Sequence, residues 1–89
     1  MSKLIDVCPK EIEFHVNRIK ILITKYKKRE ERIKAVRNLG YHVFEYGYMS
    51  KASKNGQLEF FPKKNEYRLS ISRHSGHLYR QFDYVIIRK

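Results

Sequence analysis

The segment Arg73 to Arg80, RHSGHLYR, gathers residue types that do acid–base or nucleophilic chemistry. Ser70, Ser72 and Ser75 flank His74, and a hydroxyl beside an imidazole is the beginning of a nucleophile–base pair. Such a pair needs a third group to orient the imidazole. No carboxylate stands next to it in sequence, and no G-x-S-x-G elbow occurs. The serines therefore read as the exposed side of a strand. His74 and His77 raise a second chemistry, metal binding. Two imidazoles alone make no site, and the other soft ligands, Cys8, His15 and His42, are distant and lack the paired spacing of zinc motifs. No catalytic residue, metal ligand or cofactor is expected, and the chain reads as a non-enzyme.

What these residues can do together is hold an anion. The chain carries 20 Lys+Arg against 9 Asp+Glu, a net charge of +11 on 89 residues. So lopsided a balance speaks of partners rather than of fold: nucleic acid, a nucleoprotein, an acidic protein surface or an anionic membrane. The charge is concentrated, since residues 18–40 hold nine basic and two acidic side chains. Arg18, Lys20, Lys25, Lys27, Lys28, Arg29, Arg32, Lys34 and Arg37 form the central patch. Lys51, Lys54, Arg68, Arg73, His74, His77 and Arg80 extend it as candidate nucleic-acid or partner contacts. Neutralising several phosphates releases counterions, so binding is expected to be tight at low salt and weak at high salt. Tyr46, Tyr48, Tyr67 and Tyr79 have the flat side chains that stack on unpaired bases, although strand tyrosines more often pack into a core. No helix-turn-helix, zinc-finger or RNP-type motif is present, so backbone contact is expected and base-specific reading is not.

These residues must be positioned by a helix and a sheet. Tyr67, Leu69 and Ile71 alternate with Glu66, Arg68, Ser70 and Ser72, the period of a strand with one buried face. A second strand-forming run, Phe82 with Tyr84 to Ile87, completes a hairpin over 65–89. Leu4, Ile5 and Val7 suggest a short strand in residues 1–7. Pro9 suits the first position of a helix, and Ile12, Val16, Ile19, Ile23 and Tyr26 recur at spacings of four, three, four and three. Leu39-Gly40 is a stop with a left-handed cap. On a helical wheel Val36 falls about 120° from the stripe and Glu30 lies on its seam. The helix over about 9–39 therefore either curves or breaks near Lys27–Glu31. Residues 41–49 and 57–61 read as strands, and the intervening KASKNG ends in Asn-Gly, a strong signal for a hairpin between them. The expected fold is α+β: one long basic N-terminal helix packed on a three- to four-stranded antiparallel sheet, about 41–88, in a single domain.

Composition bounds the rest. With 42% hydrophobic and 13% aromatic residues the chain is globular, and no run of 18 apolar residues exists to span a membrane. The start, MSKLIDVCPK, has too short an apolar stretch for a signal peptide, and one cysteine cannot make an internal disulfide. The cytoplasm, of a host cell if the gene is viral, is the expected compartment.

Two resemblances sharpen the function. A basic helical start followed by Tyr67-Arg68-Leu69-Ser70 and then His74-Ser75 is similar to a segment of small basic phage-encoded proteins, among them anti-CRISPR inhibitors of type II effector nucleases. It covers about 25 residues, from Glu66 to Ile87. It implies a protein without enzymatic activity that binds an RNA-guided nuclease complex. A +11 chain cannot imitate DNA phosphates, so it would meet guide RNA, bound DNA or an acidic protein face. Size, charge and Tyr67-Arg68-Leu69 with Tyr84-Val85-Ile86 are also similar to bacterial ribosome-dependent mRNA-cleaving toxins. There Arg68, Arg73, His74, His77, Arg80 and Tyr84 match the types of the catalytic residues. This chain departs from that family in its longer helix and in having RHSGHLYRQFDY where the family has an Arg-x-Gly-Asp-Tyr-Arg run. The leading expectation is a phage or mobile-element protein that binds nucleic acid or a CRISPR effector ribonucleoprotein and inhibits the nuclease. A toxin, or a general RNA-binding accessory protein, is the alternative. No membrane and no small-molecule substrate is expected.

Overall fold

The computed structural model describes residues 3–5, 7–74 and 80–88. Strand β1 (Lys3–Ile5) leads through one 3-10 turn (Lys10–Ile12) into α1 (Glu13–Lys25) and α2 (Arg29–Asn38). Four strands follow: β2 (Val43–Tyr48), β3 (Leu58–Phe61), β4 (Glu66–His74) and β5 (Gln81–Arg88). All pairings are antiparallel and the order across the sheet is β1-β3-β4-β5-β2. The fold is α+β, with helices on one face of the sheet, as expected. The sheet has five strands rather than three or four, because residues 3–5 pair with β3.

The basic segment is not one helix. Tyr26 and Lys28 are extended (ψ 114° and 136°) and separate α1 from α2. The expected stripe explains the break. Ile12, Val16 and Ile19 face the sheet from the first part, and Ile33 and Val36 face it from the second. One straight helix cannot aim both groups at the same surface; two helices can. Arg32 holds the junction. It is 9% exposed, and its guanidinium donates to the carbonyls of Tyr26 and of Ile71 in β4. Pro9 stands just outside the 3-10 turn in an extended conformation (ψ 142°), rather than inside the first helix. Gly40 (φ +97°) makes the left-handed stop, its N–H donating to Arg37 O. Val43, Leu58, Tyr67, Leu69, Ile71, Val85 and Ile87 close this core from the sheet side. Each fully buried side chain of this size contributes about 1.5–3 kcal/mol relative to exposure.

Two expectations about strands fail. The Asn55-Gly56 turn does not join β2 to β3 as a hairpin, because the two strands are not neighbours: β2 pairs with β5, and β3 with β1 and β4. The turn forms, with Gly56 at φ +84°, but its N–H donates to Ser70 O, tying the turn to β4 as the chain enters β3. Residues 49–57 thereby cover part of the sheet face away from the helices. There Ser70 Oγ donates to Lys54 O, and Met49 packs with Phe82 and Tyr84. The second failure follows. Ser70 and Ser72 are not on a solvent face; they are 0% and 4% exposed, and Glu66 is 4%. The loop covers Ser70, and an irregularity between Ser70 and Ser72 puts Ser72 opposite Asp83 instead of continuing the alternation. A similar shift between Phe44 and Gly47 bends β2. Gly47 is required here, because a Cβ at this position would overlap the ring of Tyr84.

Candidate nucleic-acid interface

At one end of the sheet Tyr48, Gln81 and His74 lie side by side on β2, β5 and β4. The N-terminal residue of α2, Arg29, reaches this end from the helical layer. Between them lies Asp83, whose side chain has no exposed surface. A buried carboxylate needs donors on every lone pair, and this one has them. Arg29 donates from Nε to Oδ2 (2.8 Å) and from Nη2 to Oδ1 (3.2 Å). Ser72 Oγ donates to Oδ2, His74 Nε2 lies 2.6 Å from Oδ1, and the Tyr46 amide donates to Oδ1 at 3.4 Å. Burial pushes the Asp83 carboxyl up, but the hydrogen bonds from Arg29, Ser72 and His74 outweigh it and hold it below its ordinary value. The hydrogen bond to Asp83 raises Arg29 in turn.

The carboxylate settles the histidine tautomer. Asp83 only accepts, so Nε2 of His74 carries a proton toward it and Nδ1 is the remaining ring nitrogen. Arg29 Nε also lies 3.2 Å from His74 Nε2, but its proton goes to the carboxylate, since Nε2 is already a donor. His74 is thus oriented by a carboxylate that sequence proximity did not reveal. Asp83 is nine residues further on and reaches His74 only through strand pairing. Its signal was present as an acidic residue inside the apolar run Phe82 to Ile87, where burial without partners would be prohibitive.

Around this buried centre the surface is aromatic and cationic. Tyr46 has φ 59°, a conformation unfavourable for a bulky residue, and its ring lies 4.5 Å from that of His74. The Arg29 guanidinium sits over the same ring at 4.8 Å. Tyr46 and Tyr48 remain 55% and 58% exposed. Backbone strain held at an exposed aromatic is the kind of feature that collects at binding sites. Gln81 Nε2 approaches Tyr48 Oη at 3.5 Å, and next to it Arg80 donates to Lys51 O. Lys27 and Lys28 are exposed and immediately precede Arg29. On the helical side Glu45 bridges Arg29 (2.8 Å) and Arg37 (3.1 Å) beside an open groove of about 310 Å³ between α2 and β2.

The sequence-derived contacts therefore separate into groups. Arg29, Arg37 and His74 meet through Glu45 and Asp83; exposed Lys27 and Lys28 precede Arg29 in the chain, and Arg80, next to Gln81, donates to Lys51 O. Arg73 is exposed at the same end of β4 but pairs with Phe82, whose side chain lies on the face away from the helices. Arg18 is elsewhere, against Phe14 and Tyr41, while Lys20 approaches Gly56 and Lys25 lies near Tyr26. Lys34 and Lys54 are exposed. Arg68 is half-buried on the far face, bonded to Glu66 and stacked over Phe61. Arg32 is a structural cation, and its burial lowers its affinity for the proton. Tyr67 is core, stacked on Phe60. His77 and Tyr79 lie outside the described residues. Glu45 and Asp83 are the site residues that sequence reasoning did not single out, and Ser72, weighed there as a hydroxyl beside His74, instead donates to Asp83.

Among the described residues no group of three or more His, Cys, Asp or Glu side chains is arranged to hold a metal, and no helix is long and apolar enough to cross a membrane. Cys8 is half-buried in a small polar pocket, and burial pushes its thiol up, away from reactivity. Comparison with protein-family models, with curated proteins and with solved structures gives no match, so the function is read from this geometry alone.

Proposed function

We propose that the chain binds nucleic acid, free or within a nucleoprotein, with this end of the sheet and the adjoining helix as the contact surface. The observation that carries the reading is the pair of exposed tyrosines, Tyr46 and Tyr48, with the Arg29 guanidinium over the Tyr46 ring at 4.8 Å and exposed Lys27 and Lys28 immediately before it in the chain. Flat rings accept unpaired bases and the cations accept the phosphates between them. In its sharpest form the protein is an inhibitor of an RNA-guided nuclease that acts in the cytoplasm by engaging guide RNA or bound DNA. The direct test is fluorescence anisotropy with short single-stranded RNA and DNA across a salt series. Lys27→Glu with Lys28→Glu should weaken binding on the order of tenfold or more and flatten the salt dependence, by about 0.7 in log–log slope for each phosphate that is no longer neutralised. Absence of binding by the unaltered protein at low salt would sink the reading. The inhibitor form is refuted separately if guided DNA cleavage by type II effectors proceeds unchanged in a large molar excess of the protein.

One observation favours a second reading, RNA cleavage. His74 is held by a buried carboxylate, with Arg29 beside it, and an oriented imidazole is what proton transfer requires. Incubation of single-stranded RNA with the protein and with His74→Gln separates the two: cleavage that depends on His74 selects the enzyme, and intact RNA bound equally by both selects the binding module.

A further inference from the structure

Glu45 is placed oddly for a nucleic-acid interface. It is an acidic side chain, 37% exposed, set between two arginines. Its two oxygens are divided between two arginines: Oε1 accepts from Arg29 Nη2 at 2.8 Å and Oε2 from Arg37 Nη2 at 3.1 Å. Each arginine also has a second acceptor. Arg29 is anchored by Asp83, and Arg37 also donates to Val43 O. Glu45 is therefore a carboxylate held between two arginines that have other anchors as well, at the mouth of a groove walled by Ile33, Lys34 and Asn38. A phosphodiester presents two anionic oxygens to donors in much the same manner, and guanidinium groups bind either anion.

We propose that Glu45 is a built-in competitor that occupies the Arg29–Arg37 clamp in the free protein and is displaced from it by a phosphodiester of bound single-stranded nucleic acid. This rests on the nucleic-acid reading and names the atoms that take one phosphate. Exchange of one anion for another keeps Arg29 and Arg37 neutralised in both states, so the free protein carries less exposed positive field there than its sequence suggests. Releasing Glu45 costs two charge-assisted bonds, which sets the affinity of that step below what a vacant clamp would give.

The test uses the full chain and a short single-stranded RNA, with DNA of the same sequence in parallel. Glu45→Gln and Glu45→Ala raise the net charge as well as freeing the clamp, so a control must raise the charge elsewhere. Glu31→Gln does so from an exposed position on α2. Vacating the clamp should raise affinity about tenfold for Glu45→Ala, the scale of one charge-assisted bond, and by less for Glu45→Gln, whose amide oxygen can still accept from one arginine. Glu31→Gln should raise it by only about two- to threefold through screened long-range charge. The extra increase should vanish when Arg37→Ala is added to Glu45→Ala. Equal increases for the Glu45 and Glu31 variants overturn the proposal while leaving nucleic-acid binding intact; no binding by any variant removes both. A readout without substitutions guards against misfolded variants. In the unaltered protein, RNA should shift the side-chain Nε–H signals of both Arg29 and Arg37 by NMR, and silence at Arg37 in the RNA complex also overturns it.

Discussion

Asp83 and Glu59 are both wholly buried carboxylates on the same sheet, and they are held in opposite ways. Asp83 draws donors from α2, β2 and β4, two of them from Arg29 and one from an imidazole. Glu59 lies under the 49–57 loop, where Oε1 takes the Ser53 hydroxyl and the Ser50 amide, and Oε2 has no partner among the described residues. Arg68 faces Glu59 in register, yet its guanidinium goes to Glu66. One carboxylate thus joins elements up to 54 residues apart and opens through His74 and Arg29 onto the surface. The other closes a loop within nine residues of itself. The difference separates a polar centre that integrates the fold from one that only fastens a cover.

The contrast can be broken most directly at Asp83. Asp83→Ala strands Arg29 and His74 without their common acceptor and should cost about 3–5 kcal/mol in urea unfolding, the range for removing one partner of a buried ion pair. A loss under about 1 kcal/mol would mean that solvent and Glu45 replace the carboxylate, and that Asp83 is no more integrating than Glu59.

Acidity separates the two next. The folded-state pKa of Asp83 is depressed, so its contribution to stability is present above the unfolded value and lost as pH falls through the folded one. The Asp83 contribution should therefore hold down to about pH 4 and decline only below it. Asp83→Asn should remove that part of the acid dependence, as read from urea midpoints over a pH series. An acid limb that survives the substitution belongs to other carboxylates.

Glu59→Gln sharpens the comparison from the other side. With no cationic partner to lose, and with an amide oxygen still able to accept from Ser53 and Ser50, the change should stay within about 1 kcal/mol of the parent protein. A cost equal to that of Asp83→Asn would place the two centres in one class. The smallest effect is expected at Tyr46→Asn. Asparagine tolerates the left-handed backbone that tyrosine occupies with strain, so thermal stability should move by no more than about 1 kcal/mol. RNA affinity should fall, because the ring over His74 is gone. Unchanged affinity would remove Tyr46 from the interface.

The same contrast explains what could be read in the chain. Apolar periodicity found the helical stripe at Ile12, Val16 and Ile19, the β4–β5 hairpin and the Gly40 stop, since each depends on neighbours in sequence. It also marked Lys27–Glu31, through the failure of the seam at Glu30, as the place where one long helix would have to curve or break, but not which; the single expected helix is two. Pairing order was out of reach. Asn55-Gly56 makes a turn, but whether the chain then returns to β2 is decided by which strands can cover the apolar core. Ser70 and Ser72 alternate as solvent residues would, and only the covering loop and the local shift in register bury them. The site was half legible. Cations and tyrosines announce themselves by type, but Arg32 and Arg68 look the same in sequence as Arg29. The residues that organise the surface, Asp83 and Glu45, are acidic, and a search for an anion-binding patch passes over them.

Gly47 and Tyr84 have a consequence for motion. Strand β2 lies at an edge of the sheet, with ladder hydrogen bonds to β5 on one side only and an irregular register between Phe44 and Gly47. The ring of Tyr84 fills the space that a side chain at position 47 would take, stacked against Phe44 at 5.3 Å. It acts as a latch through the edge strand from the far face. Amide exchange in β2 should report release of this latch rather than global unfolding, and shaving it with Tyr84→Leu should speed exchange at Tyr46 and Tyr48 more than in β4. Tyr46 and Tyr48 thus flank a glycine held by an aromatic bolt thrown from the face away from the helices.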